Sequence, residues 1–269
     1  MLEMLSYAFM QRALLAGLMV AVIGPAIGLF LVLRHLGQYS DTLAHVSLAG
    51  VAAGSMLRTQ PLLGGLAFSV LVSLGIDWLR RRYARYSELA LAVMAPASLG
   101  LAVLLLSLSD QPGSQVLSYL FGSIVTVTRE NLIMVGTLGS LVLAVLLLLH
   151  KELFSITFDE EHARISGLPV PMINCVFMVL TAMSVAMAMS VVGVLLVSGL
   201  MVIPVAAGLQ LARSFRGALL ISVAVGVLSV LMGLTAAYYL NIAPGGTVVL
   251  TAAAILLLVL LWKRIRRLE

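Results

Sequence analysis

Two side chains that bind transition metals, Asp41 and His45, stand four residues apart in a largely apolar part of the sequence. If this segment is a helix, that spacing places both side chains on one face. A carboxylate oxygen and an imidazole nitrogen there can bind one divalent cation; the pair suits Zn²⁺ or Mn²⁺, and ligand softness slightly favours zinc. Two ligands form a weak, open site, from which an ion leaves more readily than from a closed four-ligand cage. The structural alternative makes Asp41 a helix N-cap and His45 a packed helix histidine.

Further metal ligands are scarce in this chain. His35 is near enough to Asp41 in sequence to be an accessory ligand, although it also fits an ordinary loop histidine. The single cysteine, Cys175, excludes a cysteine-rich metal site. The sequence has no G-x-x-x-x-G-K-[ST], H-E-x-x-H or G-x-S-x-G motif, so it predicts neither a nucleotide site nor the usual parts of a hydrolase. Because chains of intramembrane carboxylates are also missing, a proton-driven or sodium-driven carrier is disfavoured.

The segment 154–169 has the pattern of a short, capped helix. Thr157 or Asp159 can cap its start, acidic residues fill its first turn, and Gly167 with Pro169 ends it. Such a helix is suited to docking against a soluble partner. The acids together with His162 are also a candidate metal site, but neighbouring acids are more typical of a helix start.

The composition identifies the elements that hold these residues as membrane spans. Apolar residues make up 62% of the 269 residues, charged residues only 10%, and the mean hydropathy is +1.14. A soluble fold of this size could not bury so much apolar surface, so soluble enzymes and nucleic-acid-binding domains are excluded. Segments of roughly 20 apolar residues predict nine crossings. They lie at about 10–33, 41–57, 62–79, 88–107, 131–149, 170–189, 191–212, 217–239 and 246–262.

Two features of these spans bear on packing. Residues 24–28 and 50–54 each read small-xxx-small, a pattern that lets helix backbones approach closely in lipid. Residues 189–193 make a poor turn, so one of the two spans beside them is predicted to be short or broken.

The basic residues indicate the orientation. With a cytoplasmic C-terminus, the cytoplasmic loops hold 13 of the 16 Lys and Arg residues, as the positive-inside rule requires, and nine crossings then put the N-terminus outside. The 13 are Arg34, Arg80, Arg81, Arg82, Arg85, Lys151, Arg164, Arg213, Arg216, Lys263, Arg264, Arg266 and Arg267.

Five segments, in order, resemble motifs of the permeases of bacterial zinc/manganese ABC importers, most of all the zinc-uptake permeases. Residues 40–48 (S-D-T-L-A-H-V-S-L) are similar to G-D-x-L-[AS]-H-A, and residues 119–123 match Y-L-F-G. Residues 158–169 resemble F-D-x-x-x-A-x-x-x-G-L-P, residues 192–204 resemble V-G-x-L-L-[VIT]-[ST]…I-P, and residues 243–247 stand near a late Pro/Gly turn. The likeness covers nearly the whole chain. It departs at Ser40, where the family has Gly, and at Pro96, where some zinc permeases have a histidine.

The resemblance implies an all-α, polytopic integral membrane protein with about eight or nine helices, a type II ABC importer-like permease forming one domain over residues 1–269. It implies a homodimer in the inner membrane, two cytoplasmic ATPase subunits that bind the ATP, and an extracytoplasmic metal-binding protein. The chain would itself be no enzyme and hold no permanent cofactor. Asp41 and His45 would contact the transported Zn²⁺, or alternatively Mn²⁺ or Fe²⁺. The coupling helix, at about 158–168, would use Phe158, Asp159, Glu160, Ala163, Gly167 and Leu168.

Two functions of other classes stay open at this point. An ion-coupled secondary transporter would need no ATPase. An intramembrane enzyme with a metal at Asp41 and His45 would need a third ligand, for which His35 is the nearby candidate.

Overall fold

Each of the nine predicted spans is a helix in the computed structural model, which describes residues 7–82, 87–108, 113–122 and 128–266. Within those ranges helices are the only regular secondary structure, which confirms the all-α fold class. The long helices are α1 (Ala8–Leu33), α2 (Gly37–Met56), α3 (Pro61–Arg82), α4 (Ser87–Leu108), α6 (Arg129–Leu148), α9 (Val170–Val192), α10 (Val194–Leu211), α11 (Phe215–Leu240) and α12 (Pro244–Arg266). The short ones are α5 (Gly113–Phe121), α7 (His150–Phe158) and α8 (Glu160–Ile165).

Several helices begin at a residue whose side chain accepts a hydrogen bond from a free backbone N–H group in the first turn of the helix. Thr128 accepts a hydrogen bond from the backbone N–H of Asn131 at the start of α6, and Ser214 accepts one from Gly217 at the start of α11. At its other end α11 stops at Asn241, whose φ of +53° is a left-handed conformation that asparagine tolerates. Local sequence chemistry therefore sets these boundaries.

The helix α2 differs from the other long helices. Among the described residues, eight helices are long and apolar enough to cross a membrane, and α2 is not one of them. Its first half carries Gln38, Ser40, Asp41, Thr42 and His45, yet most of the helix is buried. It packs against α3, α4, α9 and α10, which shield it. The predicted second span is thus a largely buried helix in which Ser40 and Thr42 face protein neighbours, while Gln38 and part of Asp41 stay exposed.

Both small-residue patterns lie where helices of this chain touch. A Cβ on Gly50 would come within 2.5 Å of the carbonyl oxygen of Gly64, so α2 and α3 meet at a glycine-to-glycine contact. A Cβ on Gly28 would meet the carbonyl oxygen of Met201 and bring α1 against α10. These small-residue patterns therefore bring helices of the same chain into close backbone contact, as the sequence pattern predicts.

The uncertain turn at residues 189–193 is a single residue, Gly193, and both helices beside it are long enough to span. Its φ of +89° is a region that L side chains rarely adopt. A Cβ there would meet the backbone of Gly122, which itself has a φ of +75° and lies against Val192. A Cβ on Gly245 would meet the carbonyl oxygen of the same Val192. We call this meeting of Gly122, Gly193 and Gly245 the glycine junction.

Candidate metal site

The helix α2 presents Asp41 and His45 together, as their spacing predicts. The N-cap of α2 is Leu36, and Asp41 lies a full turn inside the helix. A helix N-cap role for Asp41 is therefore wrong. The first helical turn is instead supported by Ser40, whose buried hydroxyl donates to the carbonyl oxygen of Gly37 at 2.9 Å.

The distance between the two side chains suits two ligands of one ion. His45 Nε2 lies 3.8 Å from Asp41 Oδ2, which is too long for a hydrogen bond. Two ligands bound about 2.1 Å from a single zinc ion at a tetrahedral angle lie roughly 3.4 Å apart. A small adjustment of either side chain would let both atoms bind the same cation.

Asp41 is held by a helix far away in sequence. The hydroxyl of Ser198, in the second turn of α10, donates to Asp41 Oδ1 at 3.1 Å. This bond leaves Oδ2 directed at His45. Among the described residues, the buried Nδ1 of His45 has no hydrogen-bond partner, so packing alone orients that ring. The Asp41 side chain is 50% exposed and that of His45 15%, which makes the pair accessible from one side.

The pair lies within the helix bundle. Six residues before His45, nearly two turns away, the buried Tyr39 hydroxyl lies 2.7 Å from Ser73 Oγ, near the middle of α3. Ser73 in turn donates to the carbonyl oxygen of Met178 at 3.0 Å, about two turns after the start of α9 at Val170. The beginning of α2 therefore contacts the interior of its neighbours, which explains how a polar helix start is accommodated.

His35 does not join the pair. It is exposed in the turn between α1 and α2, with a φ of +57°. Among the described residues no group of three His, Cys, Asp or Glu side chains is arranged to hold a metal ion. The accessory-ligand expectation for His35 therefore finds no support in the geometry.

The segment 154–169 contains the predicted short capped helix, α8. Asp159 is its N-cap and accepts from the backbone N–H of His162 at 2.8 Å. Ala163 is completely buried and anchors the helix, while the backbone N–H of Leu168 bonds to its carbonyl oxygen. Gly167 turns the chain with a φ of +83°. Phe158 and Glu160 are exposed, and the acids act as a helix start.

A cavity of about 330 Å³, lined by both apolar and polar side chains, lies near the glycine junction, between the ends of several helices. Burial raises the pKa of the Tyr119 phenol, so this part of the wall is neutral. The polar residues that line the cavity are Ser118, Tyr119, Thr128, Asn131 and Ser190.

Sequence reasoning missed Ser198 as a partner of Asp41. The residue lies within a recognisable motif, but serine hydroxyls in apolar helices most often bond their own backbone, as Ser184 and Ser229 do here. No sequence signal links residues 157 positions apart.

Known proteins match this chain over nearly its full length. The family model described as "ABC 3 transport family" matches residues 6–263. A Treponema pallidum protein, "Probable metal transport system membrane protein", is 37% identical and covers 98% of this chain and 99% of its own length. ZnuB of Haemophilus influenzae, "High-affinity zinc uptake system membrane protein", is 29% identical over 94% of this chain and 97% of its own. Other relatives are named for manganese and iron transport.

A solved structure has the same fold. PsaBC from Streptococcus pneumoniae in complex with Fab superposes with a TM-score of 0.86 and 27% sequence identity, covering 94% of this chain and 91% of that chain. With the family match and the eight apolar helices, this shows that the chain belongs to the ABC 3 transport family, as a multi-pass metal ABC permease of the bacterial cytoplasmic membrane.

Proposed function

We propose that this chain, as a single permease domain over residues 1–269, is the membrane subunit of an ATP-driven importer for divalent transition-metal ions, with zinc as its principal cargo. The observation that carries the proposal is the Asp41–His45 pair, 3.8 Å apart on one helix inside an apolar bundle. Ionisable groups are costly in a membrane interior and mark ion pathways there. A two-ligand site also releases its ion readily.

The exposure of Asp41 supports a pathway on this side of α2. Half of its side chain is uncovered in the single chain. A carboxylate facing lipid would be unfavourable by several kcal/mol, so this face borders water or a second protein surface. We infer a homodimer whose two copies enclose the pathway there. The small-residue patterns give no support for the dimer, because they pack helices within one chain.

Ligand chemistry favours zinc among the candidate ions. One imidazole nitrogen and one carboxylate oxygen are both common zinc ligands, and nitrogen ligands suit Mn²⁺ less well. A relative named for zinc uptake supports this choice. Relatives named for manganese and iron make those ions the alternatives to test. The ion is cargo, and we propose no resident cofactor.

ATP hydrolysis would take place on a separate cytoplasmic ATPase dimer. The sequence lacks a nucleotide motif of its own, and α8 with its flanking residues offers a docking surface. We propose that Phe158, Asp159, Glu160, Ala163, Gly167 and Leu168 form that coupling segment. An extracytoplasmic metal-binding protein would deliver the ion at the opposite side.

The test is metal uptake by proteoliposomes that contain the chain, its ATPase and its binding protein. We expect uptake of radioactive zinc when ATP is available to the ATPase, and none with a hydrolysis-dead ATPase. Uptake of manganese or iron in place of zinc would support the importer function and show that zinc is not the principal cargo. Uptake by the chain alone under an ion gradient, or no uptake of any metal, would contradict the proposal.

A further inference from the structure

We propose that Arg34 transmits the position of the coupling segment at 158–168, called the docking segment from here on, to α2, the helix that carries Asp41 and His45. This inference rests on the proposed function. Arg34 follows α1 directly and precedes α2 by three residues, so it lies seven residues before Asp41. It acts through α2 and is therefore a positioning residue.

The guanidinium group of Arg34 joins two other helices. Its Nε donates to Thr157 Oγ1 at 2.9 Å, and Nη1 donates to Asn174 Oδ1 at 2.9 Å. A longer contact of 3.5 Å runs from Nη2 to the carbonyl oxygen of Leu153. The guanidinium carbon also lies 5.0 Å from the centre of the Phe177 ring. We call these contacts of Arg34 the arginine clamp.

The partners of Arg34 belong to the helices that precede and follow α8 in the chain. Thr157 and Leu153 belong to α7, which leads into α8 through the single residue Asp159. Asn174 belongs to α9, which follows α8 after a short turn. Arg34 therefore bonds both helices that hold α8, and a shift of α8 relative to the bundle would reach its guanidinium group from two directions.

The hydrogen bonds of the clamp are mutually consistent. The Thr157 hydroxyl donates to the carbonyl oxygen of Leu153 at 2.6 Å, which leaves its oxygen free to accept from Arg34. A lysine at position 34 would keep the charge, but it lacks the planar fork that bonds two helices at once. The geometry thus requires an arginine rather than a cation alone.

Aromatic rings reinforce the same connection. Phe154 and Phe158 of α7 both contact Phe215 at the start of α11, with ring centres 5.0 and 6.3 Å away. Phe215 contacts Phe30 of α1, and Phe30 contacts Phe177 beneath Arg34. The docking segment is therefore packed against the end of α1 from which Arg34 extends.

The start of α2 follows Arg34 closely. The turn between them is short, and the buried Leu36 closes it. Because a helix moves nearly as a rigid body over one or two turns, displacement of its first turn changes the position of Asp41 relative to Ser198 of α10. In this way a shift of the docking segment would change the position of Asp41, and with it the ability of Asp41 and His45 to hold one ion.

The experiment compares transport with ATP hydrolysis in the same proteoliposomes, using the assembled complex. Arg34→Lys removes the fork, and Arg213→Lys is the matched control, because Arg213 is exposed and lies beside Phe215 in sequence. We expect Arg34→Lys to hydrolyse ATP within about twofold of the unmodified complex while zinc ions moved per ATP fall at least fivefold. The control should keep the unmodified ratio. A residue that only supported the fold would lower both activities in proportion.

Thr157→Val is a second variant, which removes one acceptor of Arg34 without changing charge or size. It should lower the ratio of ions to ATP about twofold to threefold, and it decides the matter if Arg34→Lys fails to assemble. An unchanged ratio in the assembled variants, or a proportional loss of both activities, would overturn the role of Arg34. If the unmodified complex moves no metal, the proposed function fails and this inference fails with it; normal transport by that complex separates the two outcomes.

Discussion

The arginine clamp and the glycine junction join helices in opposite ways. At the clamp, long side chains reach across gaps: a guanidinium group donates to Thr157 and Asn174, and phenylalanine rings fill the space beside it. At the junction no side chain intervenes, because the backbones of Gly122 and Gly193 touch each other and Gly245 adjoins Val192. The candidate metal pair, Asp41 and His45, lies between these two regions on α2, because that helix starts three residues after Arg34 and its Val51 lines the cavity near the junction.

The difference indicates where the molecule can move. Hydrogen bonds from a flexible arginine and contacts between rings can shift and re-form at small cost. A junction of bare backbones with positive φ angles has less freedom, since movement inward brings main-chain atoms into collision and movement outward leaves a void. We therefore expect the glycine junction to be a fixed point and the clamp to be the moving end.

The largest effect should come from disrupting the junction with Gly193→Ala. The new Cβ would collide with the backbone of Gly122, and the φ of +89° is strained for alanine. We expect loss of most folded protein, measured as the monodisperse fraction in size-exclusion chromatography after detergent extraction.

Gly136→Ala is the matched control for that variant. Gly136 lies within α6, and no atom stands within 4 Å of the position of its added Cβ. It should be neutral or more stable by up to about 1 kcal/mol, the helix-propensity difference. Normal folding of Gly193→Ala would show that the junction is not the rigid point described here.

An intermediate effect should follow from Phe215→Ala at the clamp end. The variant removes the ring that contacts Phe30, Phe154 and Phe158. Because the side chain is only partly buried, we expect about 1–3 kcal/mol lower stability, below the loss for a core phenylalanine. Thermal unfolding in detergent measures this, and Leu220→Ala, at a 70% exposed position on the same helix, should change it little. A loss as complete as that of Gly193→Ala would remove the contrast between the two regions.

The smallest effect should be that of Ser198→Ala, which loosens the metal pair from α10. Asp41 keeps its charge but loses the hydroxyl that orients it. Loss of a hydrogen bond that supports a metal ligand typically lowers metal affinity by at least about tenfold. Because the Asp41 side chain is half exposed, we expect a smaller loss of metal affinity here, about threefold to tenfold. The half-saturating zinc concentration for uptake measures the change. Ser229→Ala, whose hydroxyl bonds only its own helix at Val225, should leave it unaltered.

The sequence predicts the helices well because their signal is local. Runs of apolar residues located all nine long helices, and the capping pattern located α8. The four-residue spacing also predicted that Asp41 and His45 meet, since a helix alone determines that geometry. The N-cap interpretation of Asp41 was wrong, because α2 begins earlier than its apolar residues suggest.

The contacts between distant segments were not predictable from one sequence. The bond from Ser198 to Asp41 and the bonds of Arg34 join residues more than 100 positions apart. They depend on how helices are arranged in space, and arginine in a short loop is equally typical of a topology signal. The glycine junction brings together three motifs that the sequence presents separately, and only their close backbone approach explains why each contains glycine.

The most direct test of the central claim is metal uptake by a double variant, Asp41→Ala with His45→Ala, in proteoliposomes with the ATPase and binding protein. The account predicts that ATP-dependent zinc uptake is abolished while the ATPase still co-purifies and hydrolyses ATP. Uptake at the unmodified rate by the double variant would contradict it, because the ion would then cross without the pair.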